Sequence, residues 1–135
     1  MDEAKAEQVR KWLTKASHDL DAAKALASDE IAILDAASYH CQQAAEKALK
    51  GYLAFHDQST PKTHDIGELL ERAGELEDGF HTWSDAADRL TPLATRYRYP
   101  SIDDQPGRKV VEEAIEDAEA IVRQVLAFLP EDLHP

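Results

Sequence analysis

The chain has 135 residues, of which 43% are hydrophobic and 31% are charged, a balance typical of one globular domain and not of a disordered segment. Its formal net charge of −12 argues against a coat for extended duplex nucleic acid, because phosphate backbones are bound chiefly by cationic surfaces. No apolar run approaches the roughly 18 residues of a membrane span, and a single cysteine excludes an intrachain disulfide. The charged N-terminus lacks an apolar signal core, so we expect a cytoplasmic protein.

The first predicted helix runs from about Asp2 to Ala27. Its apolar face consists of residues spaced three and four apart, namely Val9, Trp12, Leu13, Ala16, Leu20, Ala23 and Ala27. His18, Asp19 and Asp21 lie on its polar side. The segment from Ser28 to Glu30 interrupts the pattern and predicts a turn.

The second predicted helix, from Leu34 to about His56, organises the chain. One side carries a stripe of mostly alanine, which predicts a helix buried along one side and approached closely by a neighbour. Gly51 lies within it despite a cost of about 1 kcal/mol relative to alanine, so we expect another element to touch the backbone there. The opposite side is polar and reads His40, Gln43, Glu46, Lys47 and Lys50. Cys41 is interpreted as a small core residue.

The loop before the third helix contains Lys62 and His64. Asp65 is a predicted N-cap with Glu68 as its capping-box partner, for a short helix from Ile66 to Ala73. Backbone N–H groups at a helix N-terminus favour anions, so Lys62 and His64 could meet a phosphate there. The alternative is that His64 only packs and shapes the loop.

The fourth predicted helix runs from about Thr82 to Tyr97, with a kink or break near Leu90 because Pro92 removes a backbone donor. It is followed by RYRYP, in which arginine suits phosphates and tyrosine suits bases. The alternative is that Tyr97 and Tyr99 pack while the arginines bridge acids on the fifth helix.

The fifth predicted helix runs from about Arg108 to Leu129, after a loop from Ser101 to Gly107. Pro130 ends it, and we expect residues 130–135 to be a frayed tail outside a core of about residues 3–129. The elements together predict one all-α domain over residues 1–135, an up-and-down antiparallel bundle of four long helices plus a short one. No Cys-x-x-Cys or His-x-x-x-His occurs, so we predict no metal site and no resident cofactor.

Charge is distributed unevenly along the second half of the chain. The stretch from Arg89 to Ile102 contains three arginines and no acid, whereas Glu112 to Glu119 contains five acids and no base. An acidic body with a local basic patch fits capture of a small anion better than binding of a long one.

Four segments together resemble the HEPN (higher eukaryotes and prokaryotes nucleotide-binding) domain family: WLTKASHDLDAAKAL, YHCQQAAEKALKGYL, PKTHDIGELL and LTPLATRYRYP. The resemblance covers roughly Val9 to Leu129 and implies the helical fold. It also implies a homodimer, and often a separate small nucleotidyltransferase as partner. Fold and function are separate inferences in such a family.

The first functional hypothesis is a non-catalytic nucleotide-binding module that partners a small nucleotidyltransferase, in a toxin–antitoxin-like context. The residues predicted to bind the small anionic or nucleotide ligand are Lys47, Lys50, Lys62, His64, Arg96, Tyr97, Arg98 and Tyr99.

The second hypothesis is the metal-independent RNase toxin that the resemblance also implies, which uses an arginine followed after four to six residues by histidine. None of the six histidines has an arginine at that spacing upstream, which leaves only a degenerate site of His64 with Arg96. The third is a purely structural interaction protein whose basic patch is incidental.

Overall fold

The computed structural model describes residues 1–100 and 105–135. Five α-helices span Glu3–Leu26 (α1), Leu34–Phe55 (α2), Ile66–Leu76 (α3), Ser84–Leu90 (α4) and Arg108–Ala127 (α5). Three 3-10 helices span Asp78–Trp83, Thr91–Ala94 and Glu131–Leu133. The two described ranges contain no strand, and the predicted all-α bundle is confirmed. Of the predicted loop from Ser101 to Gly107, residues 101–104 lie outside the described residues.

Helix α2 is the centre of the bundle and packs against α1, α3 and α5. Its alanine stripe is fully buried, and a Cβ at Gly51 would lie 3.1 Å from Trp12 Cβ and 3.2 Å from a Leu13 methyl carbon. The predicted close approach at Gly51 is therefore confirmed, and α1 is the element that makes it. Cys41 is buried as predicted, and burial, helped by the charge of Asp117, raises the pKa of its thiol to about 12.

Most of the polar side of α2 is buried as well, so burial extends beyond the side that the sequence predicted. Gln43, Glu46 and Lys50 are only 8%, 5% and 7% exposed. They are covered because other elements pack on this side too. A buried polar side of this kind must satisfy its hydrogen bonds internally.

The fourth helix is shorter than predicted. The α-helical hydrogen bonding is confined to Ser84–Leu90, and 3-10 turns precede and follow it. The predicted break near Leu90 is confirmed, with Pro92 in the following turn. The preceding turn carries Phe80, which is fully buried. RYRYP therefore begins after the helix has ended.

The end of α3 and the tail that follows α5 both differ from the prediction. Helix α3, predicted to end at Ala73, continues to Leu76, and Gly74 within it lies against the His81 ring. The tail, predicted to be frayed, instead folds back: Leu133 is 1% exposed, and His134 Nε2 donates to the backbone oxygens of Leu126 and Leu129. Histidine can satisfy the last carbonyls of a helix in this way.

Among the described residues, no helix combines the length and the apolar character that crossing a membrane requires.

Candidate functional site

One hydrogen bond joins the start of α3 to the segment that follows α4. Asp65 caps α3 as predicted, accepting the Glu68 N–H at 3.2 Å, although the Glu68 side chain pairs with Arg72 and does not close the predicted box. Thr91 Oγ1 accepts the Ile66 N–H at 3.0 Å and donates to the Ala87 carbonyl. These bonds hold the N-terminus of α3 against the turn before RYRYP, and they place His64 beside that segment.

A cleft of about 200 Å³ lies where these segments meet α2. We call it the His64–Arg98 cleft, and it is lined by Tyr39, Gln43, His64, Ala94, Thr95, Arg98 and Tyr99. A second cleft of about 240 Å³ adjoins it and shares Tyr39 and Arg98 as walls; its other lining residues are Asp35, Ala36 and Tyr97. Four of the predicted ligand-binding residues, His64, Tyr97, Arg98 and Tyr99, thus line two clefts with a common wall.

The arginines and tyrosines of RYRYP have different surroundings. The Arg98 guanidinium lies over the Tyr39 ring at 4.3 Å, which keeps a cation at the boundary of the two clefts. Tyr97 packs partly against the core, and Tyr99 is 74% exposed. Arg96 lies 5.2 Å from the Tyr97 ring and lines neither cleft.

His64 is oriented by a buried carboxylate. Its Nδ1 lies 2.7 Å from Glu46 Oε1, and Lys50 Nζ donates to Glu46 Oε2 at 3.0 Å. Burial by itself would raise the pKa of Glu46, but the hydrogen bonds from His64, Lys50 and Gln42 outweigh it and lower that pKa below its ordinary value. Because an ionised Glu46 only accepts, the hydrogen of His64 lies on Nδ1, and Nε2 is the ring nitrogen left for a ligand.

The two lysines of α2 are engaged elsewhere. Lys50 is held by Glu46, and Lys47 Nζ donates to Asp19 Oδ2 at 2.6 Å. Asp19 also accepts from His40 Nδ1 at 2.8 Å and is only 8% exposed, so it does not lie on an open polar face of α1. Neither lysine lines the His64–Arg98 cleft. Ligand binding by these lysines stays a prediction.

The basic stretch does not form one surface. Arg89 makes two 2.9 Å hydrogen bonds with Asp117 on α5, which raise the pKa of its guanidinium. The arginine that pairs with an acid on α5 is thus Arg89, which lies outside RYRYP, whereas Arg98 of that motif stacks on Tyr39. Lys62 is exposed in the loop two residues before His64 and lines neither cleft.

A larger cleft, of about 570 Å³, lies between α3 and α4. Its lining includes four carboxylates, from Asp65, Glu68, Glu71 and Asp88, which would repel an anionic ligand. Within residues 1–100 and 105–135, no group of three or more His, Cys, Asp or Glu side chains could hold a metal ion. The His64–Arg98 cleft is therefore the better candidate for a small anion.

Sequence reasoning missed the α2 residues that complete this cleft, Tyr39 and Gln43. They lie four apart and so share a helix face, which was a readable signal. What the sequence did not indicate is that this face lies opposite Arg98.

The sequence and the fold are both similar to those of known proteins. The family model of the HEPN domain matches residues 9–128. The fold is similar to TT1696 from Thermus thermophilus, with a TM-score of 0.79 and 31% identity over 90% of this chain and 98% of that one. It is also similar to ST0689, described as an archaeal HEPN homologue, with a TM-score of 0.70 and 25% identity over 89% and 96% of the two chains. Among curated proteins, none matches this chain significantly.

Proposed function

This chain belongs to the HEPN domain family, and from that premise we propose that it is a non-catalytic nucleotide-binding module whose ligand occupies the His64–Arg98 cleft. The observation that supports the proposal is the meeting of a cation, an oriented imidazole and an exposed aromatic ring, from Arg98, His64 and Tyr99, around one opening. The three groups suit the phosphate and the base of one ligand.

The size and charge of the clefts favour a mononucleotide. Each cleft is smaller than the roughly 300 Å³ at the low end of ligand sites, so the base alone would fill the His64–Arg98 cleft and the rest of the nucleotide would extend to Arg98 at the shared wall. Asp35 lines the adjoining cleft and disfavours a phosphate inside it, which favours Arg98 at the shared wall as the partner of the phosphate. The net charge of −12 makes an extended duplex an unsuitable ligand.

Replacing Arg98 by alanine is expected to weaken AMP and ATP binding about 10- to 100-fold, because a hydrogen bond to a charged group contributes about 1.5–3 kcal/mol. Calorimetric titration of the wild type and of Arg98→Ala measures this loss. The fold should persist, because Arg98 is exposed and stacks on the Tyr39 ring at the surface of the bundle.

Arg72→Ala is the matched control. Arg72 is another exposed arginine, on α3, with one 3.7 Å ion pair to Glu68, and it lines neither cleft. Its nucleotide affinity should equal that of the wild type. Equal affinity of the Arg98 and Arg72 variants, or a wild type that binds no nucleotide, would reject this site and leave a purely structural interaction protein as the better description.

The proposal includes protein partners: a second copy of this chain, and a small nucleotidyltransferase in a toxin–antitoxin-like context. It rests on the family resemblance of the sequence. Light scattering of the purified protein should give the mass of a dimer, and co-expression with a nucleotidyltransferase from a neighbouring gene should give one co-eluting complex. A monomeric mass would contradict the dimer. Elution of the chain apart from the nucleotidyltransferase would contradict that partner.

One observation favours a second candidate, a metal-independent RNase with a degenerate site. His64 shares its cleft with Arg98, and Glu46 orients the imidazole as a general base requires. Incubation with a short single-stranded RNA, followed on a gel, separates the candidates. Cleavage that survives a chelator and disappears in His64→Ala would indicate the enzyme, and intact RNA with nucleotide bound would indicate the module.

A further inference from the structure

The amide of Gln42 is oriented by its partners. Gln42 donates to Glu46 Oε1 at 3.1 Å and to the His64 backbone oxygen at 2.8 Å. An ionised carboxylate and a carbonyl can only accept, so the Gln42 group facing them must be its NH₂. The Gln42 carbonyl oxygen, Oε1, therefore faces the other way as an acceptor.

Gln43 is oriented by Gln42 in turn. The oxygen Gln42 Oε1 lies 2.7 Å from the Gln43 amide, and only the NH₂ of Gln43 can donate to it. The carbonyl oxygen of Gln43 is thus held away from Gln42. Its orientation follows from a chain of hydrogen bonds that starts at the buried Glu46.

The Gln43 oxygen is open to the His64–Arg98 cleft. Gln43 lines that cleft and is 8% exposed as a residue. Within the described residues, Gln43 Oε1 has no hydrogen-bond partner. In the same residues, every buried side-chain nitrogen or oxygen has a partner, so Oε1 is not a buried atom. The atom must therefore reach the cleft, where it is an acceptor that cannot donate.

From this orientation we infer that the cleft selects nucleotides whose base carries an exocyclic amino group, with Gln43 Oε1 accepting from that group. The inference rests on the proposed nucleotide-binding function and adds the class of base to it. Adenine and cytosine present an amino donor at the position where hypoxanthine and uracil present a carbonyl oxygen. A carbonyl placed against Gln43 Oε1 leaves two acceptors facing each other without a hydrogen, which costs affinity.

The neighbouring groups suit the rest of such a ligand. The exposed ring of Tyr99 offers a stacking surface for the base. Arg98 at the wall of the cleft offers a cation for the phosphate. Stacking and phosphate contacts are available to a nucleotide with any base. The acceptor on Gln43 therefore supplies the discrimination between bases with and without the amino group.

Calorimetric titration with two matched pairs, AMP against IMP and CMP against UMP, tests the inference. We expect the wild type to bind the amino-bearing member of each pair about 10-fold more tightly. In Gln43→Met, which keeps the length of the side chain but lacks the acceptor, each preference should fall to about one. Gln58→Met, which changes an exposed glutamine outside the cleft, should keep the wild-type preference.

The outcomes separate this inference from the proposed function. Binding of all four nucleotides with equal affinity, or preference for IMP and UMP, overturns the inference and leaves the module in place. A preference for AMP and CMP that persists in Gln43→Met overturns the role of Gln43. Absence of binding by all four to the wild type overturns the module and the inference together. The wild-type comparison stands on its own if Gln43→Met does not fold.

Discussion

Glu46→Ala is expected to lower the free energy of unfolding by about 3–5 kcal/mol, because it removes one partner of a buried ion pair. The side chains of Glu46 and Lys50 are 6% and 9% exposed, and their N···O distance is 3.0 Å. Without the carboxylate, the Lys50 ammonium is buried beside the Trp12 ring without its acceptor, and His64 and Gln42 each lose a hydrogen bond. Urea unfolding followed by far-UV circular dichroism measures the loss.

Glu68→Ala is the control for this substitution. Glu68 forms a pair with Arg72 at the same four-residue spacing, but the two side chains are 44% and 42% exposed and 3.7 Å apart. Such surface pairs contribute little, so its effect should stay within about 0.5 kcal/mol. Similar values for the two variants would show that the Glu46 network does not stabilise the fold.

The same network has a pH signature. Burial opposes ionisation of Glu46, but its hydrogen bonds outweigh burial, so its pKa is lower in the folded chain than the ordinary value of 4.5. A lowered carboxyl pKa stabilises the fold fully above pH 4.5, and this contribution is lost as the pH falls through the folded-state pKa. The stability difference between the wild type and Glu46→Gln should therefore be constant near neutral pH and narrow in acid. A stability difference that widens in acid would contradict the lowered pKa of Glu46.

Phe80→Ala is expected to cost about 3–5 kcal/mol, because it empties a fully buried site of an aromatic ring. Phe80 packs edge-on against Tyr52 on α2 at 4.7 Å and against Phe128, just beyond α5, at 5.2 Å between ring centroids. It therefore packs the turn between α3 and α4 against α2 and the residue that follows α5. Thermal and urea unfolding of the variant measure the cost.

Tyr99→Ala removes an aromatic ring of similar size that is 74% exposed, and it should change stability by less than about 0.5 kcal/mol. Phe80 lines neither candidate cleft, so the folded fraction of Phe80→Ala should keep its nucleotide affinity. Comparable stability losses in the two variants would mean that burial at Phe80 does not determine the effect.

Much of the local structure could be predicted from the sequence. The apolar periodicity of α1, α2 and α5 predicted these helices to within two residues at every end. Pro92 predicted the break after Leu90, and Asp65 predicted the cap of α3. These signals act between residues close in the chain, which is why one sequence is enough to read them.

The ends that were misplaced depend on distant contacts. Helix α3 continues past Gly74, where the His81 ring, distant in the chain, lies too close for a side chain. The tail is ordered because Leu133 finds a buried site and His134 binds carbonyls near the end of α5. The fourth helix begins at Ser84 and not at Thr82, where the chain around Phe80 forms a 3-10 turn that places this ring between Tyr52 and Phe128.

The sequence by itself determined the helical class, the family and the set of chemically suitable residues, because composition, periodicity and motifs are properties of the chain. Only the tertiary structure decided which of these residues meet. Thr91 holds the start of α3 and so brings His64 to Arg98, while Asp19 and Glu46 engage Lys47 and Lys50. Polar periodicity shows which helix face is hydrophilic, but burial depends on whether another element covers that face. For this reason the orientation of Gln43, on which the proposed choice of base depends, emerged only from the packed bundle.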